Sequence, residues 1–199
     1  MKLLTKHSAS ITPVNTLTET NKFVRTMPQI YPEYWPQFFT ATILEWKPLL
    51  QNDNYKNEII KCLQFLVQQK RIRVYAFVIM NNHMHLIWQP LSGQTLQTIQ
   101  HSFLKHTAQE FKAGLQKINP VLLQQFKVTA KDRQYQFWKR SSLSVELRSS
   151  KVFNQKPEYI HFNPVKAGLS NLPEEYYYSS AKFYATGIDD FGVLTHGDE

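Results

Sequence analysis

His83 and His85 stand two residues apart in the string VYAFVIMNNHMHLIWQP (74–90), where the second of two short apolar runs begins. In a β-strand, residues i and i+2 face the same side, so both imidazoles would project together from an exposed strand face while Met84 points away. Two neutral imidazoles on a rigid strand can hold a divalent metal. Many strands also carry two histidines by chance, and the spacing alone does not separate these readings. A second group lies in YIHFNPVKAG (159–168), where Tyr159 and Asn163, four apart, share one face of a helix. A phenol near a metal can be a nucleophile. Its ordinary pKa is about 10, so it needs activation at neutral pH. Asn163 can offer a carbonyl oxygen as a hard ligand beside two imidazole nitrogens, with a scissile phosphate at the remaining positions. That set of groups suits phosphodiester transesterification. The plain alternative makes Tyr159 a core aromatic and Asn163-Pro164 a helix stop, since buried tyrosines far outnumber nucleophilic ones.

The elements that must position these groups are readable from pattern. FFTATILEW (38–46) is β-branched and aromatic, which predicts a strand. Asn52-Asp53-Asn54 offers caps for a helix to about Gln69, with Ile59, Ile60, Leu63, Leu66 and Val67 at helical spacing. Residues 72–80 and 83–89 are apolar runs, and Asn81-Asn82 between them predicts a hairpin. Gln94 to about Leu115 is amphipathic, with Leu96, Ile99, Phe103, Ala108 and Phe111 on one face. YQFWKR (135–140) reads as a fourth strand and Leu143–Phe162 as a helix interrupted by Pro157. Asn163-Pro164 ends that helix, because a residue before proline is pushed out of the helical region. The first six elements follow the ferredoxin-like βαββαβ order, an RRM-like α+β fold of four antiparallel strands with helices on one face. The tyrosine helix is appended after it. Residues 1–34 are polar, then aromatic and proline-containing, and read as an N-terminal arm; 35–199 form the catalytic domain.

The chain has 199 residues, 42% hydrophobic and 14% aromatic, which supports a packed core rather than a disordered chain. Its formal charge of +8 favours a polyanionic partner, nucleic acid first. The single cysteine, Cys62, lies in an apolar helical run, so a buried thiol is expected; neither a disulfide framework nor a cysteine-based zinc site can form. There is no 18-residue apolar window and no N-terminal apolar leader, which sets the expectation of a cytoplasmic protein with no membrane role.

At this point the residues resemble a family. FVIMNNHMHLI carries a His-hydrophobic-His signature at His83 and His85, and QKPEYIHFNPVKAGL (155–169) is close to a YIHxNPVxAG string that holds a catalytic tyrosine. YYYSSAKFY (176–184) is similar to the Ser-Ser segment that follows it. In this order and spacing the chain resembles the single-tyrosine HUH transposases, and among them the REP-associated tyrosine transposases, over about 35–199. The resemblance implies His83, His85 and Asn163 as metal ligands for Mg²⁺ or Mn²⁺ and Tyr159 as the nucleophile. Pro157 departs from the family's usual helix former; it removes a backbone donor and either kinks the helix or opens a fresh turn. His161, two residues on from Tyr159, faces away on a helix and is read as a bystander. Lys105, Lys112, Lys127, Lys131, Arg133, Lys139, Arg140, Arg148 and Lys151 are candidate phosphate contacts, with Trp138 or Tyr135 as stacking surfaces.

The reading that follows is a metal-dependent endonuclease and strand transferase. It would cut single-stranded DNA near an imperfect hairpin, keep a 5′-phosphotyrosine at Tyr159 and release a 3′-hydroxyl. The bond energy is conserved, so no nucleotide cofactor is required, and no phosphate-binding glycine loop is present. One rival is a domesticated or inactive module on the same fold that binds hairpin DNA or RNA. Another is a zinc hydrolase built on His83 and His85, which explains neither Tyr159 nor the charge. Monomer and homodimer are both consistent with the sequence.

Overall fold

The structure is a computed structural model, and it describes residues 34–91 and 93–195. The expected N-terminal arm therefore lies outside the described residues, apart from Tyr34. Four strands, β1 (Gln37–Thr42), β2 (Ile72–Ile79), β3 (His83–Pro90) and β6 (Leu143–Glu146), form one antiparallel sheet in the order β2-β3-β1-β6. This is the expected ferredoxin-like α+β arrangement.

Alternation explains the two faces. Phe39, Ala41, Met84, Leu86 and Trp88 point into the main core, where helices α1 (Asp53–Gln68) and α2 (Leu96–Ile118) cover them with Ile59, Leu63, Phe103 and Phe111. Asn52 caps α1, its Oδ1 accepting from the Asn54 amide at 3.0 Å, and Thr95 caps α2 in the same way. Apart from Arg73, β2 is apolar or aromatic, because both its faces are buried. A register shift between Val74 and Ala76 changes which of its residues face the main core, Val74 before the shift and Phe77 after it. Cys62 sits in the core, and burial pushes its thiol up to about 12, so it is inert.

The second sheet face carries Phe38, Ala76, Val78 and Ile87. Helix α4 (Ser150–His161) packs over it through Ile160, with Phe153 half-buried alongside. The expectation that the histidine pair occupies an exposed strand face is therefore corrected: α4 covers that face, and His85 is only 7% exposed.

Two boundary expectations are also corrected. YQFWKR is not the fourth strand. Its first residue ends a small separate hairpin, β4 (Lys127–Ala130) with β5 (Arg133–Tyr135), which follows the short helix α3 (Pro120–Gln124). The fourth strand is LSVE (143–146), which pairs Val145 with Phe38, so the helix begins at Ser150 rather than Leu143. Leu143 and Val145 are both exposed, so this edge strand shows no buried periodicity in the sequence.

Chain after α4 closes the β2 edge. The Ile79 amide donates to the Tyr178 carbonyl at 2.9 Å, Val78 bridges Ser179, and the Thr195 amide donates to Val74 at 2.8 Å. An unpaired edge is thereby covered. Among the described residues, no helix is long and apolar enough to cross a membrane.

Candidate active site

β3 delivers His83 and His85, and α4 delivers Tyr159, to the same side of the sheet. The tight Asn81-Asn82 turn fixes where β3 begins, with the Met80 amide donating to the His83 carbonyl at 2.8 Å. The two imidazole rings lie 5.0 Å apart between centroids. His85 stacks on Phe38 at 5.4 Å and meets the edge of Tyr159 at 6.1 Å. Tyr159 remains 47% exposed, so the residue is accessible to a large substrate.

The helix runs through Pro157 without ending. Pro157, Ile160 and His161 are buried together and seat α4 on the sheet. The Asn163-Pro164 stop expected from the sequence is corrected in part. Phe162 keeps helical angles, and a further turn, α5 (Asn163–Lys166), follows directly. Proline costs little there, because a first-turn N–H needs no intrahelical partner. Tyr159 and Asn163 thus stay one turn apart, and Asn163 Nδ2 donates to the Tyr159 carbonyl at 3.1 Å and to the Ile160 carbonyl at 3.2 Å.

The histidines are held as neutral bases. Burial lowers the pKa of His83, and burial, then the neighbouring His83 and Lys156, push His85 down to about 4. His83 Nδ1 lies 2.8 Å from Asn82 Oδ1, an acceptor, so Nδ1 carries the proton and Nε2 the lone pair. His85 Nδ1 lies 2.8 Å from Thr40 Oγ1, and donation to that hydroxyl gives the same tautomer. Asn163 Oδ1 takes no hydrogen bond from the described residues while Nδ2 is engaged. Neutral imidazoles with anchored Nδ1 atoms and an amide oxygen are donor types that suit a divalent cation. Among the described residues, no three His, Cys, Asp or Glu side chains come together, so the amide is needed to complete such a set.

Two cations flank the tyrosine. Lys156 Nζ stands 4.7 Å from the Phe38 ring centroid and 5.2 Å from that of Tyr159, and Lys166 Nζ stands 5.6 Å from Tyr159. Sequence reading missed both, although they lie three residues before and seven after Tyr159, a helical-face spacing.

The predicted phosphate contacts scatter. Lys105 and Lys112 belong to α2, on the opposite face of the sheet, where Lys112 stands over Tyr135 at 5.4 Å. Arg133 pairs with Asp132, and Arg140 lies 3.5 Å from the same carboxylate. Arg148 pairs with Glu146 at 2.7 Å, while Lys127, Lys131 and Lys151 are exposed. Lys139 reaches the histidine neighbourhood through Trp46: its Nζ is 4.5 Å from that ring, which meets His83 at 5.7 Å. Trp138 is corrected as a stacking surface, being only 6% exposed with Nε1 bonded to Thr107 Oγ1 at 3.0 Å.

His161 points away from Tyr159, as expected, but it is more than a bystander. Its Nε2 lies 2.7 Å from Ser180 Oγ, which also accepts from the Phe77 amide at 2.9 Å. The Ser-Ser segment therefore ties the tyrosine helix to β2. Burial pushes His161 down to about 4.

No protein-family profile and no curated protein matches the sequence. Among solved structures, the chain is similar to a REP-associated tyrosine transposase bound to a REP hairpin. The TM-score is 0.55 at 18% identity, covering 84% of this chain and 92% of that one. A Deinococcus radiodurans protein assigned as a transposase aligns at TM-score 0.42 and 12% identity, over 67% of this chain and 95% of that one. The fold is that of the REP-associated tyrosine transposase, in agreement with the resemblance carried by His83-Met84-His85 and YIHFNPVKAG.

Proposed function

We propose that this protein is a divalent-metal-dependent single-stranded DNA endonuclease and strand transferase that acts beside a hairpin. The observation that carries this reading is the convergence of His83, His85 and an open Tyr159 on one sheet face. The hairpin bound by the structural neighbour points the same way.

In this reading, Tyr159 attacks the scissile phosphorus. One P–O bond forms to the phenolic oxygen, and one breaks to the 3′-oxygen. The phenol loses its proton, and the departing 3′-oxygen gains one, so the exchange consumes neither water nor a nucleotide. The products are a 5′-phosphotyrosine and a free 3′-hydroxyl, and reversal onto another 3′-end rejoins the strand. His83 Nε2, His85 Nε2 and Asn163 Oδ1 would hold Mg²⁺ or Mn²⁺, which when bound neutralises charge on the phosphate oxygens. Lys156 and Lys166 supply fixed positive charge beside the nucleophile. Phe38 walls the site and keeps His85 upright.

The test is incubation with labelled oligonucleotides bearing imperfect hairpins and single-stranded flanks, with Mn²⁺, Mg²⁺ or EDTA. The reading predicts a covalent protein–DNA band on a denaturing gel that depends on the cation. Binding without cleavage or adduct across such a set, with either metal, supports a binding module instead.

A further inference from the structure

We propose that Trp46, lying beneath the Lys139 ammonium, is a stacking platform for the nucleobase next to the scissile phosphate. The proposal rests on the single-stranded DNA reading of the site and adds a base-binding position to it.

Trp46 is 53% exposed, in contrast to the fully buried Trp88 and the nearly buried Trp138. Its position is fixed. The Ile43 amide donates to the Asn82 carbonyl at 2.8 Å, and Asn82 Nδ2 donates to the Trp46 carbonyl at 3.3 Å. The Leu44 amide donates to Phe137 at 2.6 Å and the Leu50 amide to Asn81 at 3.0 Å. The loop is bolted to the same turn that launches His83.

The backbone carries strain to hold it there. Glu45 and Trp46 adopt φ of 55° and 58°, left-handed angles that non-glycine residues rarely take. Such strain persists only when the surroundings impose it, and it concentrates at ligand clamps. Here it holds the indole in water rather than in the core.

The chemistry around the ring suits a polyanion. Lys139 Nζ lies 4.5 Å from the ring centroid, giving a cation–π contact and a charge for a neighbouring phosphate. Glu45 is paired with Lys47, which removes one repulsive charge. The ring meets His83 at 5.7 Å, so a base on Trp46 would lie within one nucleotide of a phosphate at the histidine pair. Stacking on an aromatic ring accepts any base and is how single strands are commonly held.

The test uses the best-cleaved hairpin oligonucleotide and copies with one abasic site at each position flanking the cut. Wild-type protein should lose about fivefold to a hundredfold in affinity for one flanking abasic copy. Trp46→Ala should lose the same factor on intact DNA and show no further loss on that copy. Trp46→Phe should keep most of the affinity. Two results overturn the platform while leaving cleavage standing: wild-type protein indifferent to every flanking abasic site, or Trp46→Ala retaining the full abasic penalty. Wild-type protein that neither binds nor cuts any oligonucleotide overturns the DNA reading and the platform together.

Discussion

Thr40 Oγ1 and His85 Nδ1 meet at 2.8 Å across the β1–β3 pair, where Thr40 and His85 stand directly opposite each other. Strand register, set by the hydrophobic alternation of both strands, thus fixes which nitrogen of a buried imidazole stays free. Thr40→Val keeps the shape and removes the hydroxyl. Mn²⁺ affinity should fall about 10- to 100-fold, as for loss of other outer partners of metal-binding histidines. Titration calorimetry measures it, and an unchanged dissociation constant contradicts the assigned tautomer.

Acid should destabilise the metal-free protein in a defined window. His85 and His161 have folded pKa values pushed down to about 4, against about 6.5 for an unfolded imidazole. Between those values the unfolded chain binds more protons, so stability is fully present above about pH 6.5 and falls as pH drops toward 4. The loss should be on the order of 2 kcal/mol for each histidine by about pH 5. Urea midpoints in EDTA at several pH values measure this, and His161→Gln should flatten part of the slope. A midpoint constant down to pH 5 contradicts the buried neutral state.

Ser180→Ala should loosen the seat of the tyrosine helix. Ser180 Oγ serves His161 and the Phe77 amide together, so its loss leaves two buried groups unpaired at a cost of about 1–3 kcal/mol. Cleavage should slow while DNA affinity changes little, because Tyr159 is misplaced and no cation is lost. Urea unfolding and single-turnover cleavage read the two effects separately.

The sheet, the main helices and the Asn81-Asn82 hairpin were legible because apolar periodicity and turn residues agree along residues 52–115. The fourth strand was not: Leu143 and Val145 are exposed on an edge, so periodicity favoured extending the helix. His83, His85 and Tyr159 were legible as chemical types, but their meeting depends on which sheet face α4 covers, and local pattern carries no such information. His85 was expected on an open face, and its burial against Phe38 means that His85→Ala should also cost stability. Thr40, Phe38 and Trp46 act through strand register and loop backbone, which cannot be read residue by residue. Charge and nearness in sequence do not distinguish phosphate contacts by sheet face: Lys105 and Lys112 sit on α2 at the far face, Lys139 beside Trp46 at the near one.

The two cations beside Tyr159 provide a contrast. Lys156→Ala and Lys166→Ala should each lower the salt dependence of single-stranded DNA binding by about 0.7 in log–log slope. Lys105→Ala and Lys112→Ala, on the opposite face, should leave it unchanged. Affinity titrations from low to physiological salt decide it; equal effects from all four contradict DNA lying across the histidine face.

The most direct measurement traps the covalent adduct from the Mn²⁺ reaction, digests it and maps the attachment by mass spectrometry, beside Tyr159→Phe. That variant removes one oxygen from a half-exposed ring, so fold and DNA affinity should hold. The account predicts a phosphotyrosyl peptide at Tyr159 in the wild type, with neither cut nor adduct in the variant. Attachment at Tyr135, Tyr176, Tyr177 or Tyr178 contradicts the site, and full cleavage by Tyr159→Phe with no wild-type adduct contradicts the reaction itself.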